Sequence, residues 1–172
     1  MPAMKNAGLR HYKHLVRMAR TDRKETTPSC DSEWTELIVL ADRRDAGAFL
    51  DLIAGAFDRY AKQLPLLHEI ETAAEASQVL LLRRGNNLAG SLLFETRGVM
   101  STLRFWAVAE PFRELRVGSA LMRHYLTTQK AVRRFVLWVN ADNKDTIEKY
   151  RHYHYATDGV VDYVLANDWI PR

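Results

Sequence analysis

Apolar residues recur with two different periods along the chain, and the period predicts the type of each element. Five of them are spaced as on one helix face: Phe49, Leu52, Ile53, Phe57 and Tyr60. They predict a helix within residues 43–64, which Pro65 closes or kinks. A weaker helical pattern covers residues 66–77, and the short β-rich run ELIVLAD precedes both helices.

Alternating and continuous apolar runs predict strands in the rest of the chain. Residues 78–98 form two such runs joined at Gly85-Asn86-Asn87, residues that tolerate positive φ and predict a hairpin. The further predicted elements are a strand at 101–110, a helix at 117–131, a strand at 133–141, a helix at 143–155 and a strand at 159–168. This order predicts an α/β fold, a mixed sheet with helices on its faces.

The basic charge is concentrated in the N-terminal segment. Residues 1–24 contain seven Lys or Arg and one Asp, a net charge of +6, whereas the remaining residues sum to −2. Apolar residues at helical spacing predict a basic amphipathic helix here: Leu9, Tyr12, Leu15, Val16 and Ala19. Such a helix could contact tRNA or an anionic surface, or it could pack on its own domain. With the turn-rich residues 21–35, it predicts a basic extension and linker over 1–34 and a folded domain over 35–172.

The composition is that of a soluble globular protein. The 172 residues are 47% hydrophobic and 27% charged, which is enough for one domain with a buried core. Cys30 is the only cysteine, so we expect no internal disulfide and a reducing compartment, the cytoplasm. No apolar run is as long as a membrane span. Without clustered cysteines or histidines in ligand spacing with carboxylates, no metal is expected. These features predict no particular oligomeric state.

Residues 103–122 are predicted to run from a strand through a short turn into a helix. The first turn of a helix has unpaired N–H groups and the positive end of the dipole, so it attracts phosphate. Gly118 would let the backbone approach a ligand closely, and Arg113 and Arg116 add positive charge. Taken alone, the pattern also fits a helix start that merely contains a glycine.

A second pattern follows the strand at 133–141. Asn143 opens a helix, and Tyr150 lies seven residues further on. Seven residues make two helical turns, so both side chains project from one helix face and could point into one cleft. The alternative interpretation makes Asn143 a helix N-cap and Tyr150 a core aromatic.

Together the two patterns resemble the GNAT family, the GCN5-related N-acyltransferases that use acetyl-CoA. The resemblance covers residues 36–167 and is sharpest over 103–155. The family's strand-four pattern is matched by Trp106-Ala107-Val108 and Pro111. Its Arg/Gln-x-x-Gly-x-Gly/Ala turn aligns with Arg113-Glu114-Leu115-Arg116-Val117-Gly118.

The family's second motif also has counterparts here. Its asparagine, its tyrosine and its glycine-aromatic pair align with Asn143, Tyr150 and His154-Tyr155. Two residues depart from the pattern, because Arg116 and His154 each stand where the family has glycine. Arg116 must then adopt, with a Cβ, whatever backbone conformation that loop position requires.

The resemblance implies a GNAT-like acyl-CoA N-acyltransferase fold, with six to seven strands and about four helices beside the basic helical extension. Acetyl-CoA, or another acyl-CoA, would be the co-substrate, and a small-molecule or peptide amine would be the acceptor. The residues it assigns to coenzyme binding are Trp106, Ala107, Val108, Arg113, Glu114, Leu115, Arg116, Val117, Gly118, Ser119, Asn143 and Tyr150.

The resemblance also implies roles for these residues. The main chain of Trp106 and Val108 would bind the pantetheine arm, and the Val108 N–H would stabilise the oxyanion. The amides from Arg113 to Ser119 would hold the diphosphate, and Asn143 would bond the pantetheine. Tyr150 would be the catalytic residue that protonates the thiolate.

Alternatives stay open at this point. The general base is Glu95, Glu110 or ordered water. Besides N-acetyl transfer to an amine, the basic segment suggests acyl transfer involving aminoacyl-tRNA. The two departures from glycine suggest a third alternative, a catalytically idle GNAT-like binding domain.

Overall fold

The computed structural model describes residues 8–21 and 33–167. In that part of the chain it has seven strands and four α-helices, which confirms the predicted α/β class. The strands are β1 (Arg10–Thr21), β2 (Ile38–Leu40), β3 (Val79–Arg84), β4 (Asn87–Arg97), β5 (Met100–Val108), β6 (Arg134–Asn140) and β7 (Ala156–Ala166). The helices are α1 (Ala46–Ala56), α2 (Leu67–Glu75), α3 (Val117–Thr128) and α4 (Lys144–His152). Cys30 lies outside the described residues.

The chain forms two compact units. We call one the central unit; its described residues are Thr21, 33–57 and 64–135. Its strands lie in the order β2-β3-β4-β5, with each neighbouring pair antiparallel. We call the other the terminal unit; its described residues are 8–20, 58–63 and 136–167. Its strands lie in the order β6-β1-β7, and β1 is antiparallel to β7.

The central unit buries apolar side chains on both faces of its strands. Successive side chains of a strand point to opposite faces. The continuous apolar runs of β3 and β4 therefore contribute buried side chains to both faces of the sheet. On one face, α1 and α2 pack on a cluster that includes Phe49, Ile53, Ile70, Val79, Leu81, Leu93 and Phe105. On the other face, α3 packs through Tyr125, whose ring lies 4.9 Å from that of Phe94.

The predicted β3–β4 hairpin is confirmed. Strand β3 ends at Arg84, β4 begins at Asn87, and Arg84 pairs with Asn87. Gly85 has a φ of 60°, a conformation that glycine adopts without the clash of a Cβ. The turn residues read from the sequence therefore act where they were expected to.

Helix α1 is shorter than the apolar spacing predicted. It ends at Ala56, and the next residue, Phe57, has extended backbone. The carboxylate of Asp58 accepts hydrogen bonds from the N–H groups of Tyr60 and Ala61. An aspartate that bonds nearby backbone amides offers them an alternative to the helix, so the chain turns here rather than at Pro65.

The predicted N-terminal helix is wrong for the described residues, because Arg10–Thr21 form strand β1. Burial in its second half follows a period of two, with Met18 and Arg20 buried. The strand pairs with β7 from Arg10↔Ala166 to Ala19↔Ala156. Helix propensity is a weak preference that tertiary pairing overrides, and here β7 supplies a hydrogen-bonding partner for the backbone. The predicted domain boundary at residue 34 stays a prediction.

Candidate functional site

The main chain of β5 presents alternate residues to its two edges. The N–H of Ala109 donates to the carbonyl of Ala89 at 2.9 Å, and Gly90 pairs with Val108. In an antiparallel pair, hydrogen-bonded and non-hydrogen-bonded positions alternate. The main-chain groups of Val108 therefore face away from β4, as do those of Trp106, while those of Ala107 face β4. The N–H and C=O groups of Val108 are thus not used in the ladder with β4.

A bulge in β5 sets the direction of its side chains. Leu93 pairs with Phe105 but Phe94 pairs with Leu103, so Arg104 is the extra residue. Beyond the bulge, Phe105 packs in the cluster under α1 and α2, and Trp106 points toward α3. At the end of β5, Trp106 and Val108 thus lie against Gly118 in the first turn of α3.

The loop between β5 and α3 uses part of its own hydrogen-bonding capacity. A short 3-10 helix covers Glu110–Phe112, with Pro111 at its start. The N–H of Arg113 donates to the carbonyl of Glu110 at 3.2 Å, and that of Leu115 donates to Phe112 at 3.4 Å. Two of the seven amides predicted to hold a diphosphate are therefore engaged inside the turn.

The first turn of α3 leaves three amides without a helical partner. The first i−4 hydrogen bond of this helix runs from the N–H of Ala120 to the carbonyl of Arg116, at 3.0 Å. The N–H groups of Val117, Gly118 and Ser119 have no carbonyl acceptor within the helix. The Arg116 side chain makes no capping bond. This helix end, with the positive end of its dipole, can bind an anion.

Arg116 adopts the backbone conformation that glycine would take. Its φ is 63° and its ψ is 10°, in the left-handed region, and the right-handed helix begins at the next residue, Val117. Such a change of handedness turns successive N–H groups toward one point, an anion-binding arrangement known as a nest. A non-glycine residue in this region costs roughly 1–2 kcal/mol. Arg116 therefore has the same backbone conformation that glycine would have here, and it adds a guanidinium to the loop.

Two glycines let α3 lie close to the strands. A Cβ on Gly118 would meet the Trp106 ring at 3.1 Å and Val108 Cγ2 at 3.2 Å. A Cβ on Gly90 would meet Val117 Cγ1 at 2.8 Å and Leu121 Cδ1 at 3.0 Å. The neighbours of Gly118 on its Cβ side are thus β5 side chains, so its structural role is helix–strand packing. Gly90 was not among the predicted site residues, although a lone glycine inside a strand is a signal of close approach.

Asn143 is the N-cap of α4. Its Oδ1 accepts the N–H of Thr146 at 3.1 Å, as the capping interpretation predicted. The side-chain amide NH₂ is not used by this bond and stays available as a donor from an exposed residue.

Tyr150 belongs to the turn that ends α4. The N–H of Tyr155 donates to the carbonyl of Tyr150 at 3.1 Å, and the N–H of His154 donates to that of Arg151 at 2.8 Å. His154 has a φ of 64°. These are the two bonds and the left-handed residue of a Schellman motif, whose C′ position usually holds glycine. The rings of Tyr150 and Tyr155 lie 6.0 Å apart, which is the apolar contact that accompanies such a motif.

The phenol of Tyr150 is held in its neutral form. The residue is only 9% exposed, and burial raises the pKa of this phenol well above its ordinary value. Burial disfavours the phenolate because the charged form loses its hydration. A phenol with the ordinary pKa of 10.0 is already protonated at neutral pH, and burial extends this neutral form to higher pH.

The two carboxylates considered as bases are in different surroundings. Glu95 forms an ion pair with Arg104, and its second oxygen lies 3.7 Å from Arg97. Glu110 is exposed in the first turn of the 3-10 helix. The guanidinium groups of Arg104 and Arg97 balance the negative charge of Glu95. This ion pairing makes Glu95 a weaker candidate for the general base.

The basic residues of β1 are partly used inside the protein. Arg17 forms an ion pair with Asp158 at 2.8 Å, and buried Arg20 donates to the carbonyl of Tyr153. Arg10 and Lys13 each lie 5.8 Å from the centre of the Tyr12 ring. Arg17 and Arg20 are thus bonded to other groups of the protein rather than to an external anion.

The described residues contain neither a metal-binding cluster nor a membrane-spanning helix. In residues 8–21 and 33–167, no three His, Cys, Asp or Glu side chains are grouped so that they could hold a metal ion. The helices within these ranges are too short or too polar to cross a membrane.

The predicted site residues fall into both units. Trp106, Ala107, Val108 and all residues from Arg113 to Ser119 belong to the central unit, whereas Asn143 and Tyr150 belong to the terminal unit. Within the central unit the structure brings Trp106 and Val108 against Gly118. Within the terminal unit it places Asn143 and Tyr150 at the two ends of α4.

The chain is similar to known proteins in sequence and in fold. A sequence profile described as the acetyltransferase (GNAT) family matches residues 34–155. No curated protein matches the chain. A GCN5-related N-acetyltransferase from Sphaerobacter thermophilus has a similar structure, with a TM-score of 0.68 and 20% identity over 95% of this chain and 54% of that one.

Two further solved structures are similar. A ribosomal-protein-alanine N-acetyltransferase from Brucella melitensis biovar Abortus 2308 has a TM-score of 0.56 and 21% identity, over 72% of this chain and 93% of that one. Rv2747 from Mycobacterium tuberculosis, in complex with CoA and NLQ, has a TM-score of 0.55 and 12% identity, over 66% of this chain and 69% of that one.

Identities this low establish a common fold only, and the chain spans about half the length of the Sphaerobacter protein. The family profile is stronger evidence, because it covers more than two thirds of the 172 residues and includes both motifs. The chain belongs to the acetyltransferase (GNAT) family.

Proposed function

We propose that the protein is an N-acetyltransferase that moves the acetyl group of acetyl-CoA to a primary amine. The observation that carries this proposal is the start of α3. There, three amides lack a helical acceptor directly after a left-handed Arg116. Membership of an acetyltransferase family supports acyl transfer as the class of reaction.

The residues of the central unit fit the diphosphate of the coenzyme. The N–H groups of Val117, Gly118 and Ser119 donate to phosphate oxygens at the positive end of the α3 dipole. The exposed guanidinium groups of Arg113 and Arg116 balance negative charge. The amides of Arg113 and Leu115 have no such role in the proposal, because they are bonded within the turn.

When bound, the thioester supplies an activated acetyl group that an amine can attack. The N–H of Val108, at the edge of β5 that faces away from β4, donates to the carbonyl oxygen on which negative charge develops. The Tyr150 phenol, which carries its proton at neutral pH, gives that proton to the departing sulfur. The NH₂ of Asn143 donates to the pantetheine arm. Because Glu95 is ion-paired, the proton of the amine passes to ordered water or to the exposed carboxylate of Glu110.

The alternatives from the sequence have less support. Acyl transfer involving aminoacyl-tRNA was suggested by the basic segment, yet Arg17 and Arg20 are engaged within the protein. A catalytically idle domain was suggested by the absence of two glycines. Arg116 and His154 both adopt the left-handed backbone that glycine would adopt, so neither substitution removes the local geometry.

Calorimetry with acetyl-CoA tests coenzyme binding directly. We expect a micromolar or smaller Kd, about −8 kcal/mol or better. S-acetyl-pantetheine, which lacks the diphosphate together with the phosphoadenosine, is the control and should bind much more weakly. If millimolar acetyl-CoA gives no heat of binding, the proposal is wrong.

Release of free thiol from acetyl-CoA tests the reaction. The amine panel would contain spermidine, a lysine peptide and an alanine-initiated peptide, the last because one similar structure is a ribosomal-protein-alanine N-acetyltransferase. Tyr150→Phe should keep coenzyme affinity while turnover falls about 10²- to 10⁴-fold, the usual contribution of a proton donor. Tyr163→Phe, at a half-exposed residue of β7, is the control and should turn over normally. Equal turnover of Tyr150→Phe and wild type would remove Tyr150 from the site.

A further inference from the structure

Arg20 is a cation buried inside the terminal unit. The residue is 5% exposed, and its Nη1 donates to the main-chain carbonyl of Tyr153 at 3.1 Å. A buried guanidinium is tolerated where acceptors replace its lost hydration. The strand register explains the contact. Ala19 pairs with Ala156, the first residue of β7, so the next residue of β1 lies beside the chain that leaves α4.

The carbonyl that Arg20 binds belongs to the turn that holds Tyr150. The N–H groups of Tyr153 and Tyr155 both donate to the carbonyl of Tyr150, at 3.0 and 3.1 Å. The Tyr155 ring contacts the Tyr150 ring. By bonding the Tyr153 carbonyl, Arg20 therefore holds the turn whose hydrogen bonds and ring contact surround Tyr150.

We propose that Arg20 is a positioning residue for Tyr150: from the neighbouring strand it anchors the C-terminal turn of α4 and thereby fixes the direction of the phenol. This inference rests on the proposed function for the role of that phenol. A cation is favoured at a helix C-terminus, where the dipole is negative. The planar guanidinium of arginine places its donors in a fixed geometry that the shorter, point-like ammonium of lysine does not reproduce.

Arg20→Lys tests the proposal, and Arg17→Lys is its matched control. Both changes keep the charge on the same strand, but Arg17 pairs with Asp158 instead of the α4 turn. Circular dichroism checks that each variant is folded. If Arg20→Lys does not fold, Arg20→Gln, which keeps an N–H donor, takes its place.

The first readout does not depend on activity. In protein labelled with 3-fluorotyrosine, seven ¹⁹F resonances are expected from the seven tyrosines, and Tyr150→Phe identifies the resonance of Tyr150. We expect Arg20→Lys to shift or broaden that resonance, whereas Arg17→Lys leaves it in place. An unchanged Tyr150 resonance in folded Arg20→Lys protein overturns the proposal.

The second readout is a double-mutant cycle on kcat, with acetyl-CoA and the best amine of the panel. Arg20→Lys should lower kcat about 10- to 100-fold at constant KM for acetyl-CoA, since a misplacement of about 1 Å can cost 10²-fold. In the Tyr150→Phe background the same change should have less than about a twofold effect, because the two residues act as one unit. Equal losses in both backgrounds overturn the inference.

Failure of the inference and failure of the proposed function give different results. Full turnover in Tyr150→Phe refutes the role of the phenol, and the ¹⁹F spectrum then still decides whether Arg20 orients that ring. If Tyr150→Phe lowers kcat as expected but Arg20→Lys lowers kcat equally in both backgrounds, only the role of Arg20 is refuted.

Discussion

Replacing His154 with glycine should stabilise the protein. His154 has a φ of 64° at the C′ position of the turn that ends α4. The left-handed conformation costs an L-residue roughly 1–2 kcal/mol, whereas glycine adopts it freely. Glycine in turn loses more chain entropy on folding, a cost of roughly 0.5–1 kcal/mol. The difference predicts a gain of about 0.5–1 kcal/mol in the free energy of unfolding for His154→Gly.

His152→Gly is the matched control, two residues earlier in the same chain. His152 is the last residue of α4 and, like His154, is exposed. Its backbone is helical, so glycine there brings the entropic cost, up to about 1 kcal/mol, and also removes the ring that lies 5.6 Å from that of Tyr153. The same substitution should therefore have opposite signs at the two positions.

Urea unfolding and thermal unfolding measure both variants. For a chain of this length, 1 kcal/mol corresponds to roughly 2–4 °C in Tm, so His154→Gly should melt about 1–4 °C above wild type. The urea midpoint should rise with an unchanged m-value. If His154→Gly is destabilised as much as His152→Gly, the left-handed strain assigned to His154 is not present.

Three further changes test other parts of the structure. Gly90→Ala should lower the free energy of unfolding by about 1–3 kcal/mol, because its Cβ would lie 2.8 Å from Val117 Cγ1. Gly55→Ala in α1 is the control and should not be destabilised, because the space around Gly55 is open. Urea unfolding measures both variants. Arg116→Ala should weaken acetyl-CoA binding by about 1–3 kcal/mol if its guanidinium bonds a phosphate, and unchanged affinity by calorimetry would leave that role to the backbone amides. Burial raises the pKa of Tyr125 above its ordinary 10.0, so above pH 10 the unfolded chain releases a proton that the folded one keeps. Stability should then fall by about 1.4 kcal/mol per pH unit for this group; urea unfolding from pH 9 to 11 should show a shallower fall in Tyr125→Phe, and equal slopes would contradict the assignment.

Much of the fold and of the candidate site follows from local patterns. The β3–β4 hairpin, the helix start at Val117 and the capping role of Asn143 were all predicted from residue types at short spacing. Such features depend on a few neighbouring residues, so turn and cap chemistry in the sequence is sufficient to place them. The same holds for the motifs that led to the family.

The end of α1 was predicted incorrectly because two local signals competed. Apolar spacing extended the helix to Tyr60, but the carboxylate of Asp58 bonds the amides of Tyr60 and Ala61 instead. A side chain that satisfies backbone amides locally can end a helix before the apolar pattern ends. Asp58 was visible in the sequence as a residue that can end a helix, but the prediction gave more weight to the apolar periodicity.

Contacts between residues far apart in sequence were decided only by the tertiary structure. Arg10–Thr21 became a strand because β7, some 140 residues later, supplies main-chain partners, and no local pattern encodes a partner at that distance. The buried place of Arg20 follows from the same pairing. By itself the sequence determined the order of elements, the turns and the two motifs, because these arise from neighbouring residues. Tertiary packing decided which conformation the basic segment takes and which strands accommodate α3, because both depend on hydrogen bonds and close contacts between distant parts of the chain.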